Sequence, residues 1–281
     1  MPVANHPDLE RAREKICAGQ RHLQIFGLEG SARSCFLASL LSDLERGVLI
    51  LLPHAKDAMR FYRELEFFLP EIQTGGEPGK RRLYAFPLYD ISPLTGLSPH
   101  KEVVTRRLQA LYALINDPSP IVVTSLDAAL LRVLPKEALI GALDYVAEGE
   151  EIPREELLRR LEANGYLRTS LVEERGDYSV RGAVIDVFPP LYRDPVRLEF
   201  WGDRLESLRH FDPVSQRSSG RLNDLVLLPA NEIILEKENV RRARSMGRIP
   251  GSSDGGIAFP GQEAWLNHFY ERTDSLFDYV P

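Results

Sequence analysis

Three short apolar runs, VLILL (48–52), RLYAF (82–86) and IVVT (121–124), are separated by stretches whose apolar residues recur every three or four positions. Between the first two runs these residues are Ala58, Phe61, Tyr62, Leu65 and Phe68, and Pro70 ends the stretch. Short continuous apolar runs read as strands and the three-to-four spacing reads as helix. Strands alternating with helices close as a parallel sheet with helices on its faces, because each parallel pair needs a crossover. LQIF (23–26) reads as a further strand, followed by a Gly-containing turn and a helix over about 34–45. VLILL reads as a buried strand, and another helix covers about 101–116.

The pattern then changes. Pro153 sits where a first helical turn tolerates it, with Leu157, Leu158 and Leu161 on one face and Asn164-Gly165 as the stop. From Tyr166 to Asp212 the chain reads as short antiparallel strands: LRTSLVEE, DYSVRG, AVIDVF, VRLEFW and LESLRHF. Turn signals separate them at Arg175-Gly176-Asp177, Pro189-Pro190 and Gly202-Asp203. Past about 214 short apolar pieces return at 225–228 and 233–235, before a Gly, Pro and Ser-rich loop at 247–261. The expected fold class is α/β, with a first part over 1–128, an inserted small α+β domain of antiparallel strands over 129–214, and a second part over 215–281. The ending YERTDSLFDYVP stops on an apolar segment, which reads as the cut edge of a longer protein.

Composition narrows the function. A net charge of −6 argues against a dedicated nucleic-acid binder, since neutralising phosphates takes a basic face. Lys80-Arg81-Arg82 and Arg241-Arg242 with Arg244 read as solvated loops and helix ends. No apolar run reaches the roughly 18 residues of a membrane span, and the first residues lack a signal peptide's basic start and apolar core. Cys17 and Cys35 have no metal-ligand spacing, and the histidines are scattered. The expectation is a cytoplasmic protein with free thiols and no metal. Asp186, Asp203 and Asp212 follow no metal-binding spacing rule, and His100 has no nucleophile or orienting acid at a diagnostic distance.

One segment fails as a motif. GLEGSARS (27–34) stands where a phosphate loop, G-x-x-x-x-G-K-[ST], would stand. Gly27 fits the first glycine and Ser34 the metal-ligating hydroxyl, but Ala32 replaces the second glycine and Arg33 the lysine. A planar guanidinium does not freely replace a compact ammonium, and an alanine held left-handed costs on the order of 1–2 kcal/mol. Glu29 adds negative charge where polyphosphate would lie, and the 121–124 strand runs into Ser125 rather than an acidic pair. The loop is expected to be non-functional, with no cofactor.

GYLRTSLVEERGDYSVRGAVIDVFP (165–189), VRLEFWGDRLESLRHFD (196–212) and SQRS (215–218) resemble the domain shared by UvrB and bacterial transcription-repair coupling factors (Mfd). PLYDISPLTGLSPHKEVVTRRLQALYAL (87–114) resembles the short connection of the coupling factors, where UvrB has a long aromatic hairpin. FPGQEAWLNHFYERTDSLFDYVP (259–281) resembles coupling-factor sequence C-terminal to the module. The resemblance implies a degenerate, P-loop-like domain split around an inserted UvrA-docking domain. It implies an adaptor that recruits UvrA to stalled RNA polymerase, with the polymerase-binding and DNA-translocating parts elsewhere in the parent and a distal domain masking the docking surface. It places the UvrA-binding residues at Arg168, Arg181, Ser179 and Arg175, with Ser179 standing where UvrB has a third arginine.

Strand alternation gives those arginines a physical basis. Leu167, Thr169 and Leu171 are expected on one face, leaving Arg168 and Ser170 on the other; Arg181 shares parity with Ser179, opposite Tyr178 and Val180. Both arginines are thereby expected on a solvent face. A UvrB-like, ATP-dependent DNA-inspection protein is the competing reading and needs a complete phosphate loop and an aromatic hairpin. A DNA clamp is a third, disfavoured by the net acidity.

Overall fold

A computed structural model describes residues 6–42, 44, 46–69, 83–92, 95–246 and 259–280. Pro70, the basic triplet 80–82 and most of the 247–261 stretch lie outside these residues. Helices α1 (Pro7–Cys17) and α2 (Ala32–Leu41) precede strand β1 (Val48–Leu52), helix α3 (Ala55–Phe68), strand β2 (Leu83–Phe86), helix α4 (Lys101–Asn116) and strand β3 (Ile121–Ser125). The three strands form the expected parallel sheet, in the order β1-β3-β2. β3 is central and buried along its whole length. Ile121 and Val123 pack with Ala38 and Leu41 of α2 and Ala58 and Leu65 of α3, while Val122 faces Leu108 and Leu111 of α4. Apolar side chains on both faces of one strand produce a three-layer sandwich. VLILL differs from expectation: β1 is an edge strand, half-buried, with Leu51 43% exposed. LQIF forms no strand; Ile25 and Phe26 are exposed, and among the described residues nothing pairs with them beside β1.

The chain continues through α5 (Leu126–Ala129), β4 (Arg132–Val133), α6 (Lys136–Gly141) and β5 (Asp144–Ala147). Then come α7 (Arg154–Ala163), β6 (Leu167–Arg168), β7 (Asp177–Arg181), β8 (Val184–Val187), β9 (Val196–Trp201), β10 (Arg204–Phe211), β11 (Ser218–Leu222) and β12 (Asp224–Leu227). Strands β6 to β11 form one sheet in sequence order. Tyr178, Ile185, Leu198, Phe200 and Leu208 bury one face against Leu157 and Leu161 of α7, joined by Val146 and Leu225 of the β5–β12 pair. The expected antiparallel run holds except at its first member, since β6 pairs with β7 in parallel.

The two cores do not divide at 129 and 214. Val133, Leu134 and Leu139 pack in the first core, and β11 lies in the six-stranded sheet beyond 214. The returning chain re-enters the first core with Leu228, Ile233 and Ile234, followed by α8 (Lys237–Ser245), α9 (Leu266–Phe269), β13 (Asp274–Ser275) and α10 (Leu276–Tyr279). β13 pairs with β4. No helix among the described residues is long and apolar enough to cross a membrane.

The end of α7 ties the return segment down. Gly165 has φ +83°, and the N–H groups of Gly165 and Tyr166 donate to Glu162 O and Leu161 O, a Schellman stop. The carbonyls of Asn164 and Ala163 accept from Ala230 N and Leu235 N. A β-carbon on Gly165 would lie 2.6 Å from Asn231 Cβ. Gly165→Ala therefore combines left-handed strain with overpacking, and we expect a loss of about 2–4 kcal/mol. Urea unfolding measures it; a loss under about 1 kcal/mol would show that the 231 segment yields freely.

Candidate functional site

β6 is the outermost strand of the six-stranded sheet, and Arg168 lies on it in register with Tyr178. Arg168 therefore shares the α7 side of the sheet, where the Tyr178 hydroxyl donates to Glu162 Oε1 at 2.7 Å. Burial raises the Tyr178 phenol above its ordinary range, and the bond to Glu162 adds to this. Arg168 is exposed, as is neighbouring Leu167 at 48%. Thr169 still donates to Tyr178 O, but the ladder ends there. The alternation expected through Leu171 is lost, and Val172 is the buried residue instead.

Arg181 closes β7 opposite Val184, exposed, with Nη2 donating to Ser170 O at 3.3 Å. It stands three positions along the strand from Tyr178, about 10 Å. Parity puts Arg181 on the face opposite Arg168, so the single solvent face expected for both is corrected: they flank the β6 edge from its two sides. Among the described residues neither arginine forms an ion pair.

Ser179 is not at the surface. It is 2% exposed, in register with Asp186, and its Oγ has no hydrogen-bond partner among the described residues. Arg197 grips Asp186 through two bonds of 2.7 and 2.9 Å, and Val172, Phe188 and Phe211 cover part of the same face. The parity was right, but that face is covered. Arg175 is committed inside the protein: it donates to Tyr192 O at 3.1 Å and to Glu102 Oε2 at 3.3 Å, and stacks 5.2 Å from the Phe188 ring centre.

No local sequence signal marks the group that sets this site's orientation. Lys101, at the start of α4, places Nζ 2.8 Å from Asp177 Oδ1 and 3.4 Å from Glu174 Oε2. Asp177 also accepts the N–H groups of Glu173 and Glu174. The first core thus holds the turn from which β7 departs, through residues 76 positions apart.

The phosphate-loop segment has different geometry from its expectation. Gly27 and Gly30 take positive φ, whereas Ala32 opens α2 in a right-handed helix, so the strain expected at Ala32 does not arise. Ser34 is buried, and its hydroxyl donates to Glu64 Oε2 at 2.5 Å with Ser31 O at 3.0 Å. Arg33 Nε turns back to Leu28 O at 3.1 Å, and the Glu29 carbonyl accepts from Ala32 N. The three aspartates weighed as a metal set lie in separate structural roles. Asp186 pairs with Arg197, Asp203 accepts Arg154 N–H, and Asp212 accepts Ser215 N–H, which holds its carboxyl below the usual range.

The model of the UvrB interaction domain family matches residues 145–233, which span the second core and both exposed arginines. Residues 145–233 are thus similar to the UvrB interaction domain. The transcription-repair-coupling factor of Myxococcus xanthus is 38% identical over 238 residues, covering 84% of this chain and 19% of its own length. That of Escherichia coli (strain K12) is 27% identical over 287 residues, covering 98% of this chain and 24% of its own length. The UvrABC system protein B of Nitrosococcus oceani is 26% identical over 248 residues, covering 86% of this chain and 36% of its own length. The chain is thus similar to coupling factors over most of its length and spans about a fifth to a quarter of theirs. Within the matched residues, Arg168 and Arg181 are exposed, Ser179 is buried, and Arg175 joins Tyr192 O to Glu102 of α4.

Proposed function

We propose that the chain is a protein-interaction adaptor of nucleotide excision repair, docking UvrA through the β6 edge of its interaction domain. The observation that carries this reading is the pair Arg168 and Arg181, both exposed, both without an ion pair, flanking an open strand edge inside the matched domain. Guanidinium forks left free at a surface suit bidentate pairing with carboxylates of a partner. The similarity to coupling factors supports a role in recruiting UvrA to stalled RNA polymerase. Polymerase and DNA contacts, and masking of the docking surface, belong to parts of a longer parent. We place the docking unit at 144–230, where the second core lies, with the flanking segments as one split domain. The cytoplasm is the compartment this role requires.

The same reading makes the 27–34 segment a degenerate phosphate loop without ATPase function. Ser34, the hydroxyl a magnesium ion would need, is engaged by the Glu64 carboxylate. Isothermal titration with Mg-ATP is expected to give no heat of binding. A micromolar dissociation constant would instead support an ATP-dependent, DNA-inspecting protein resembling UvrB. Direct titration of UvrA onto the 281-residue chain tests the docking itself, and absence of binding at tens of micromolar would refute it.

A further inference from the structure

We infer that Trp201 is the apolar anchor of the docking surface, and that the partner meets it with an apolar pocket rimmed by carboxylates. The inference rests on the UvrA-docking reading above and extends its surface to a second strand tip. Trp201 is 81% exposed although it ends a regular strand, paired with Arg204 across a turn in which Gly202 takes φ +62°. Alternation along β9 explains the exposure. Val196, Leu198 and Phe200 are buried on the α7 side, so Trp201 projects from the opposite face with Arg197 and Glu199. Glu199 is in register with Val184, and Val184 with Arg181, so Arg181 projects from that same face.

The two strand tips lie side by side. Phe200 N–H donates to Ala183 O at 2.9 Å, and the register places Trp201 two strand spacings across and two residues along from Arg181, about 12 Å away. The platform is braced from behind by Arg154. Its Nη2 donates to Gly182 O at 2.6 Å, its N–H to Asp203 Oδ1 at 3.3 Å, and its guanidinium lies 5.9 Å from the Phe200 ring centre. An indole held out on a braced turn has little to lose in ordering when it is covered, and a large apolar area to gain. Tryptophan and arginine are the residue types that dominate the centres of protein interfaces. The charges beside it choose the partner's sign. Arg204 is balanced by Glu206 at 3.1 Å and Asp203 is turned to Arg154 N–H, while Arg181 has no acid among the described residues. Glu199, half-buried on the same face, accepts from Ser207 Oγ at 2.6 Å, so the exposed charge beside the indole without an ion pair among the described residues is that of Arg181, which fits an acidic rim.

The experiment uses the 281-residue chain and purified UvrA, with Trp201→Ala, Trp201→Phe and the unaltered protein compared by titration. Trp201→Ala is expected to weaken binding by roughly thirtyfold, and Trp201→Phe by only about threefold, because a smaller ring still fills the pocket. The chain has two tryptophans, so 5-fluorotryptophan labelling gives two 19F lines, and the one missing from Trp201→Phe belongs to Trp201. That line is expected to shift or broaden on adding UvrA while the Trp265 line stays put. The 19F line also decides the matter should Trp201→Ala fold poorly. Binding of Trp201→Ala within about twofold of the unaltered chain, or an unmoved Trp201 line at saturation, overturns the inference while leaving the docking reading intact. Failure of the unaltered chain to bind UvrA overturns both.

Discussion

Replacing Glu232 with alanine is expected to cost about 3–5 kcal/mol of folding stability, the largest loss we foresee for any single side chain. Glu232 and Arg107 are both fully buried, with Arg107 Nε 2.5 Å and Nη2 3.4 Å from the two carboxylate oxygens. The guanidinium is sandwiched between the rings of Phe86 and Tyr89, each 4.2 Å from its centre, and donates to Pro87 O at 3.0 Å. Burial acts to lower the Arg107 pKa, and Glu232 and Tyr89 together outweigh it, raising the pKa overall. Removing Glu232 leaves that cation dry and unpaired and takes the acceptor from Tyr89 Oη, which donates to Glu232 Oε1 at 2.8 Å. Glu232→Gln keeps the shape and a hydrogen bond and should lose less. The paired change Arg107→Leu with Glu232→Leu should recover most of the loss, since apolar replacements of a buried pair are often close to neutral. Urea unfolding of the three proteins is the measurement. A loss under about 1 kcal/mol for Glu232→Ala would mean that water reaches the pair.

That ion pair also marks the limit of what the sequence discloses. Its partners stand 125 residues apart, on α4 and on the return segment, and nothing local to either announces the other. Local pattern served where it set local structure. The three-to-four spacing gave α3 and α4, continuous apolar runs gave three strands, and Gly165 gave the stop of α7. It misled where an apolar run had no neighbour to pair with, as at LQIF, because four residues of strand pattern form no strand without a partner edge. Arg168 and Arg181 stand out in the sequence only by the resemblance of the strands around them. Which face each occupies was not legible, because alternation assigns parity without saying what covers a face. Val172, Phe188 and Phe211 close over part of the face that Ser179 shares, and the parallel pairing of β6 turns Arg168 toward the α7 side. The grip of Lys101 on Asp177 was hidden for the same reason as the buried pair.

Reversing the charge at both docking positions, Arg168→Glu with Arg181→Glu, is expected to abolish UvrA binding at micromolar concentrations. Loss of one well-placed interface arginine commonly costs about 2 kcal/mol or more, roughly a thirtyfold weakening, and reversal adds repulsion against the carboxylates that an arginine would pair with. The arginines stand on opposite sides of the β6 edge about 10 Å apart along the strand, which is close enough for one partner surface to cover both. Their separation also makes the two single reversals informative. A partner that lies across the edge loses affinity with either one, whereas a partner seated on one face responds to one alone. Stability should move by no more than about 0.5 kcal/mol per site, because among the described residues Arg181 is held only by its 3.3 Å bond to Ser170 O and both side chains are exposed. Arg63 and Arg244, exposed on α3 and α8 of the first core, supply the matched control reversal. Arg13 would not serve, since its guanidinium donates to Ser39 O at 2.7 Å and pairs with Glu10. Binding and thermal melting are read on the same samples. Unchanged affinity in the double reversal removes the β6 edge from the interface. Equal loss in the control assigns the effect to net charge rather than to the site. Loss confined to the docking pair, at an unchanged melting temperature, is the result that the exposed and unpaired state of these two guanidinium groups leads us to expect.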